Sequence, residues 1–319
     1  MYKLYVKDMK ILKELDFGAR QPLSQIARKV GLSPEVVNYR IKQLENKGII
    51  TGYYPIIDLS KLGYIYCRYA MELERLNTDI EKKFIEFACD HPGLGWYVLK
   101  GNMHISVSGY VKTVDEIKGV MDDLNNQFYA VIKTKRPSIA TKIYHFKRNY
   151  LYNTKDPETL IWGEATPVSV DEIDKKILVI LTENVRIPST DIARQVDLTS
   201  MAVINRIKRM EKNRLILGYR CALDLQKLGY THHKIELFIE NLSKKRKEQL
   251  IEYIRMHPNI VYITDVVDYV DLECEAQLKS ADDVYPLMMK MREEFPEIKR
   301  FQSTPFHKEI IFRYVPGNF

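Results

Sequence analysis

The sequence predicts an α+β chain made of two units on one plan, each a helical head followed by a ferredoxin-like α/β sandwich. Three observations predict it. The chain of 319 residues repeats itself: displaced by about 166 positions, residues 8–64 overlay 174–230 without a gap. "DMKIL" is answered by "DKKIL", "QIARKVGL" by "DIARQVDL" and "DLSKLGY" by "DLQKLGY". Within each unit the apolar periodicity changes once, from helical spacing to alternation. A turn-marked, capped helix stands at the same place in both heads, in "GLSPEVVNYRIKQLENKGIITGY" from Gly31 and "DLTSMAVINRIKRMEKNRLILGY" from Asp197.

The elements follow in order. In the first unit three short helices are expected over 8–15, 24–30 and 34–46. Ser33 sits at the N-cap of the third, where its hydroxyl accepts an orphan backbone N–H, and Pro34 at N1 loses no hydrogen bond. Val37, Ile41 and Leu44 form one buried stripe, Gly31 suits a turn of positive φ, and Gly48 followed by "IITGYYPIID" stops the helix and forms a β wing. Strands are then expected over 64–73, 95–99, 105–110 and 130–135, with a continuation at 142–148, and helices over 79–91 and 114–126. Alternation in "YAMELE" and "ISVSGYV" supports the strands. His-Pro at 91–92 and again at 257–258 ends a helix, because proline disfavours helix at the residue before it. Two strand–helix–strand halves of this kind give a ferredoxin-like sandwich. Residues 152–169, with two prolines and several turn formers, read as a linker in which Trp162 docks on a neighbour.

Composition narrows the function. With 45% hydrophobic and 29% charged residues the chain reads as globular; no apolar run approaches the roughly 20 residues of a membrane span. "MYKLYVKDMK" lacks the apolar core of a secretory signal. The four cysteines are scattered, which suits buried, reduced thiols in a cytoplasm better than disulfides or zinc. The net charge of +7 is concentrated in the two heads, pointing to a polyanion partner for those segments. A helix, a short turn and a second helix with a polar outer face is the helix-turn-helix arrangement, whose second helix enters the major groove of double-stranded DNA.

The motifs "IARQVDLT", "NRIKRMEKNRLILGY" and "LDLQKLGY", and equally "LSPEVVNYRIKQLENKGIITGY", resemble the Lrp/AsnC (feast/famine) transcription regulators. The resemblance spans both units. It implies winged helix-turn-helix domains at 1–62 and 170–228, and ligand-sensing, dimerising RAM domains of βαββαβ type at 63–151 and 229–319, with the linker 152–169 between. It also implies pairing of RAM domains, within one chain or between chains as a homo-oligomer, and an amino acid or another small molecule as effector, with no further cofactor.

On that resemblance the reading face of the first head is Ser33, Pro34, Glu35, Asn38, Tyr39 and Lys42, with Arg40 either on phosphate or bracing the bundle. The second head offers Thr199, Ser200, Met201, Asn205 and Lys208, with Arg206, Arg209 and Lys212 making it the more basic. An amide such as Asn38 reads adenine, whereas basic residues position a protein on phosphate without specifying sequence. Ile204 replaces Asn38, so the first head is expected to discriminate bases and the second to clamp. Effector candidates lie at the turn between the second and third RAM strands: Gly101, Asn102 and His104 in "KGNMHIS", and Asp268, Tyr269 and Asp271 in "VVDYVDLE", where the carboxylates suit an ammonium group. His232 and His233 are strand neighbours whose rings point to opposite faces, so no metal chelate is expected. No phosphate loop, Ser/His/Asp order or His-Glu-x-x-His occurs, and no enzymatic activity is expected. A fused sirohaem-decarboxylase-like enzyme uses the same domain pair, but an Arg/His-rich tetrapyrrole pocket is not evident in "GLGWYVLKGNMHIS" or "NIVYITDVVDYVDLE".

Overall fold

The computed structural model describes residues 2–101, 104–164 and 166–319. The first unit comprises α1 (Val6–Leu15), α2 (Leu23–Val30), α3 (Pro34–Asn46), β1 (Ile50–Ile57), β2 (Ile65–Leu73), α4 (Thr78–Asp90), β3 (Leu94–Lys100), β4 (His104–Val111), α5 (Val114–Phe128) and β5 (Ile132–Phe146). After α6 (Asn149–Tyr152) and β6 (Thr159–Trp162), the same order recurs in α7 (Glu172–Glu183), α8 (Ser189–Gln195), α9 (Ser200–Lys212), β7 (Ile216–Leu223), β8 (Thr231–Ile239), α10 (Lys244–Arg255), β9 (Ile260–Val267), β10 (Leu272–Leu278), α11 (Val284–Glu294) and β11 (Ile298–Ile311). The fold is α+β, with two winged helix-turn-helix heads and two sandwiches of ferredoxin-like strand order.

The two heads fold against each other. Buried residues of both, such as Ile11, Leu44, Ile177 and Ile207, belong to one hydrophobic core. The wings β1 and β7 pair antiparallel in a two-stranded ribbon, with Tyr54 opposite Arg220. Arg20 reaches across to the carbonyls of Val185 and Ile187, and Arg186, its counterpart in the repeat, donates to the Ala19 carbonyl at 2.8 Å. Gly31 caps α2 at φ 66°, the left-handed turn expected for it; Asp197 takes the same place at φ 52°.

The two sandwiches close into one barrel. The sheet runs β2-β4-β3-β11-β8-β10-β9-β5, and a β2–β5 pairing joins its ends. Both last strands cross between sandwiches. The first part of β5 pairs with β2 and its end with β9; the first part of β11 pairs with β8 and its end with β3. Alternation then divides the side chains. One face of each strand meets the helices, as with Tyr69 and Val107 or Ile235 and Cys274; the other faces the lumen. An eight-stranded barrel leaves room for packed side chains or one small ligand.

Two expectations change here. The last strand does not break near 135: β5 runs unbroken to Phe146, because its far half finds a partner in the other sandwich. Nor is 152–169 only a connector. β6 adds to the edge of β5 with Trp162 opposite Ile143, and burial of Leu160 and Trp162 outweighs the flanking turn formers. Among the described residues no helix is long and apolar enough to cross a membrane.

Candidate DNA-reading faces and the barrel cavity

Both reading helices are built as local chemistry dictates. The Ser33 hydroxyl accepts from Val36 N at 3.3 Å and that of Thr199 from Ala202 N at 3.2 Å. Val37, Ile41 and Leu44 are buried on α3, and Val203, Ile207 and Met210 on α9. Pro34, Glu35, Tyr39 and Lys42 are exposed and Asn38 is half-buried; Met201, Asn205, Lys208 and Lys212 are exposed and Ser200 is half-buried. Arg40 ion-pairs with Asp8 on α1 at 2.9 Å, which makes it a brace. Arg206, expected on phosphate, is its equivalent: it pairs with Asp171 at 2.7 Å and Asp174 at 2.8 Å. Arg209 also binds the buried Asp174 carboxylate while keeping half its surface exposed. A buried carboxylate needs such partners, and these guanidiniums hold each third helix to the first.

The effector turns are occupied by their own contacts. Gly101 has φ 49° and donates from its N–H to Pro305 O at 3.1 Å. Asn102 lies outside the described residues, and His104 opens β4 on its exposed side. Tyr269 lies 3.6 Å from the Arg136 guanidinium and donates to Glu236 at 2.6 Å. Asp268 stands 3.8 Å from Arg136, and Asp271 accepts from Ile239 N at 3.1 Å. Both carboxylates therefore have partners within the chain.

The barrel lumen gathers residues of which only His232 and Trp162 stand out in the sequence, around a cavity of ≈ 270 Å³. Arg68 donates to Glu273 at 2.6 Å, Lys234 lies 2.8 Å from Glu273 and 3.1 Å from Glu275, and His232 lies 3.1 Å from Glu275. Burial pulls the Glu273 carboxyl upward, but Arg68 and Lys234 overcome it and hold it at about 2. Lys100 differs. Among the described residues no carboxylate pairs with it; its ammonium lies 5.6 Å from the Phe306 ring. Burial, reinforced by the Arg68 and Lys234 cations, pushes it down to about 7. Burial and Arg220 push His145 down to about 3, leaving its ring neutral near pH 7. Among the described residues, four side chains of the cavity wall carry buried polar atoms without a partner: Ser106 Oγ, His145 Nδ1, Arg148 Nε and Trp162 Nε1.

The head strands roof this cavity. Tyr54 and Ile57 of β1 and Ala222 of β7 line it, and the Tyr54 ring stacks on Tyr314 at 4.9 Å. Arg220, fully buried on β7, lies 2.5 Å from Asp16 and donates to Tyr262 Oη at 3.0 Å and Phe146 O at 2.7 Å. Asp16 also accepts from Arg148 Nη1 at 3.1 Å and Arg148 N at 2.8 Å. Burial raises the Asp16 carboxyl, but Arg220 and Arg148 bring it below its usual range. A buried ionic network thus joins the wing of the second head to the cavity wall.

Known proteins match this arrangement at two levels. A winged helix-turn-helix DNA-binding family matches residues 6–51 and the AsnC-type helix-turn-helix domain matches 170–211. The regulatory protein AsnC of Haemophilus influenzae is 30% identical over 121 residues, 38% of this chain and 81% of its own. The chain belongs to the Lrp/AsnC family. The proline dehydrogenase transcriptional activator of Rhodobacter capsulatus is 42% identical over 80 residues, 25% of this chain and 51% of its own. These likenesses support DNA-binding regulation by this Lrp/AsnC chain.

Across its full length the Lrp/AsnC chain is similar to a solved enzyme, the siroheme decarboxylase NirDL, with TM-score 0.62, 14% identity and coverage of 97% of this chain and 94% of that one. NirDL in co-complex with an iron-uroporphyrin III analogue gives TM-score 0.59. The likeness shows a shared fold, and it overturns the expectation of no enzymatic activity, because the architecture that matches from end to end is that of an enzyme. The Arg and His side chains of the cavity wall lie outside the β3–β4 and β9–β10 segments: Arg68 is on β2, His145 at the end of β5, Arg148 at the N-cap of α6 and His232 on β8.

Proposed function

We propose that this chain is a sequence-specific DNA-binding transcription regulator. In this reading a tandem duplication supplies both halves of a pseudo-dimer within one polypeptide, and a small effector binds in the RAM pair. The observation that carries the reading is the paired presentation of two capped reading helices on heads that share one core and one β1–β7 ribbon. Heads held at a fixed separation suit two half-sites on one face of DNA. The half-sites are unequal, because Asn38 is an amide where the second head has Ile204. Fluorescence anisotropy with DNA from its own promoter tests this. Binding should weaken steeply with salt, Asn38→Ala should relax sequence preference, and Lys208→Ala should weaken all sites alike. Absence of salt-dependent binding to any genomic fragment would reject the reading.

A second reading, catalysis in the barrel cavity, is favoured by the end-to-end likeness to siroheme decarboxylase NirDL. A tetrapyrrole would need the ≈ 270 Å³ cavity to widen, since that volume is below the roughly 300–1,000 Å³ typical of ligand pockets. Absorbance titration with iron-uroporphyrin III decides: a saturable band shift at one equivalent per chain supports it, and an unchanged spectrum removes it.

A further inference from the structure

We propose that the barrel cavity binds a small aromatic monocarboxylate, its ring against the wall of Trp96, Tyr66 and Trp162 and its carboxylate on Lys100. The inference deepens the effector half of the proposed function but rests on the cavity alone.

Four features set the ligand class. The wall is aromatic and edge-packed: Tyr66 lies 5.8 Å from Trp96, 5.4 Å from Tyr110 and 6.4 Å from Trp162, ring centre to ring centre. A flat ring is the shape that such a wall accepts at low cost in entropy. The charges are unequal in their engagement. Arg68 and Lys234 are paired with Glu273 and Glu275; among the described residues Lys100 has no carboxylate within ion-pair distance, and Glu309, which also lines the cavity, has its carboxyl raised by burial against the pull of His232 and Lys100, which leaves the Lys100 ammonium to meet one anionic group. The unpartnered Ser106 hydroxyl and Trp162 indole N–H, 2% and 3% exposed, are donors; buried donors are nearly always paired, and an acceptor-bearing ligand would satisfy them where a hydrocarbon would not. Finally, ≈ 270 Å³ suits one or two fused rings.

The repeat sharpens the assignment. Its offset sets Arg68 against Lys234 and Trp96 against Tyr262, but Lys100 against Val266. Beyond the one-residue slip, Ser106 and Ser108 stand where the second unit has Glu273 and Glu275. The second unit thus supplies the acids that pair with the inner cations, and the first supplies the hydroxyls and an ammonium that makes no ion pair among the described residues. The lumen has one binding end, so one ligand per chain is expected.

The test uses the full chain and indole-3-acetate, followed by calorimetry and by the fluorescence of Trp96 and Trp162, the two tryptophans of the sequence. Saturable binding with quenching at one equivalent is expected. Lys100→Met should weaken it by about tenfold to a hundredfold, while Lys100→Arg retains it. Affinity should fall as pH rises from about 6 to about 9, because the ammonium that holds the carboxylate is lost; the charged groups that face Lys100 are Arg68 and Lys234, which favour that loss, and Glu273, Glu236 and Glu309, which oppose it. Indole, which lacks the carboxylate, should bind far less well. No saturable binding, equal binding of indole, tighter binding of tryptophan, or an affinity independent of pH would each overturn the assignment; the pH arm needs no variant. None of these measurements involves DNA, so failure here leaves the regulator reading standing, and failure of DNA binding leaves this one.

Discussion

At the residue scale, the informative positions are those where one unit keeps what the other has lost. Gly48 ends the first reading helix at φ 61°, and its counterpart Arg214 holds φ 56° with a side chain. A left-handed residue with a Cβ costs about 1–2 kcal/mol. Arg214→Gly should therefore stabilise the protein by about 1 kcal/mol in urea unfolding, while weakening DNA binding non-specifically through the loss of one cation. Lys100 is a second such position. Its folded pKa of about 7 lies below the roughly 10.4 of an unfolded lysine. Between those values the unfolded chain binds a proton that the folded chain lacks, so this group makes stability rise with pH across that window. Lys100→Met should be more stable than the natural protein at pH 7, with the gain shrinking as pH approaches the unfolded value. A urea midpoint that is lower for the variant at pH 7 would show that Lys100 is compensated in the free protein.

At the element scale, the crossing strands β5 and β11 and the β1–β7 ribbon convert two units into one body. Each crossing strand pairs first with its own sandwich and then with the other, so neither sandwich keeps a free edge at that side, which blunts edge-to-edge association. The ribbon is fastened beneath by Asp16, shared between Arg148 and Arg220. Removing one partner of a buried ionic cluster leaves the others uncompensated, at a cost of about 3–5 kcal/mol. Asp16→Asn, which keeps the shape and deletes the charge, should lose stability of that order in urea unfolding. A loss below about 1 kcal/mol would mean that water reaches the cluster.

At the scale of the whole molecule, the cavity and the DNA-reading heads share a wall. Tyr262 lines the lumen and accepts from Arg220 on the wing, and its hydroxyl lies 3.5 Å from that of Tyr54 on the other wing. A ligand that fills the lumen therefore presses on the ribbon that sets the separation of the reading helices. Coupling of this kind typically changes affinity about 5- to 150-fold. Saturating indole-3-acetate should change the DNA affinity of the natural protein within that range, and Tyr262→Phe should reduce the change while leaving ligand affinity nearly intact. Equal coupling in the variant would place the route elsewhere, through Tyr54 and Tyr314.

Much was decided by the sequence alone. The repeat, the capped reading helices and the α+β pattern are local: caps, turn glycines and apolar spacing act within a few residues of themselves, and Ser33, Gly31 and the Val37–Ile41–Leu44 stripe behave as their chemistry requires. The cavity is not local. In "YCRYAMELE", "ISVSGYV" and "THHKIELFIE" the alternation is plain, but a polar strand face reads the same whether it meets water or an enclosed lumen. Only barrel closure, through pairings between strands far apart in the chain, turned Arg68, Ser106 and Lys234 into an interior. The ion pairs of Arg40 with Asp8 and of Arg206 with Asp174 likewise depend on how the first and third helices pack. Short-range physics wrote the heads into the sequence, and long-range strand pairing made the chamber beneath them.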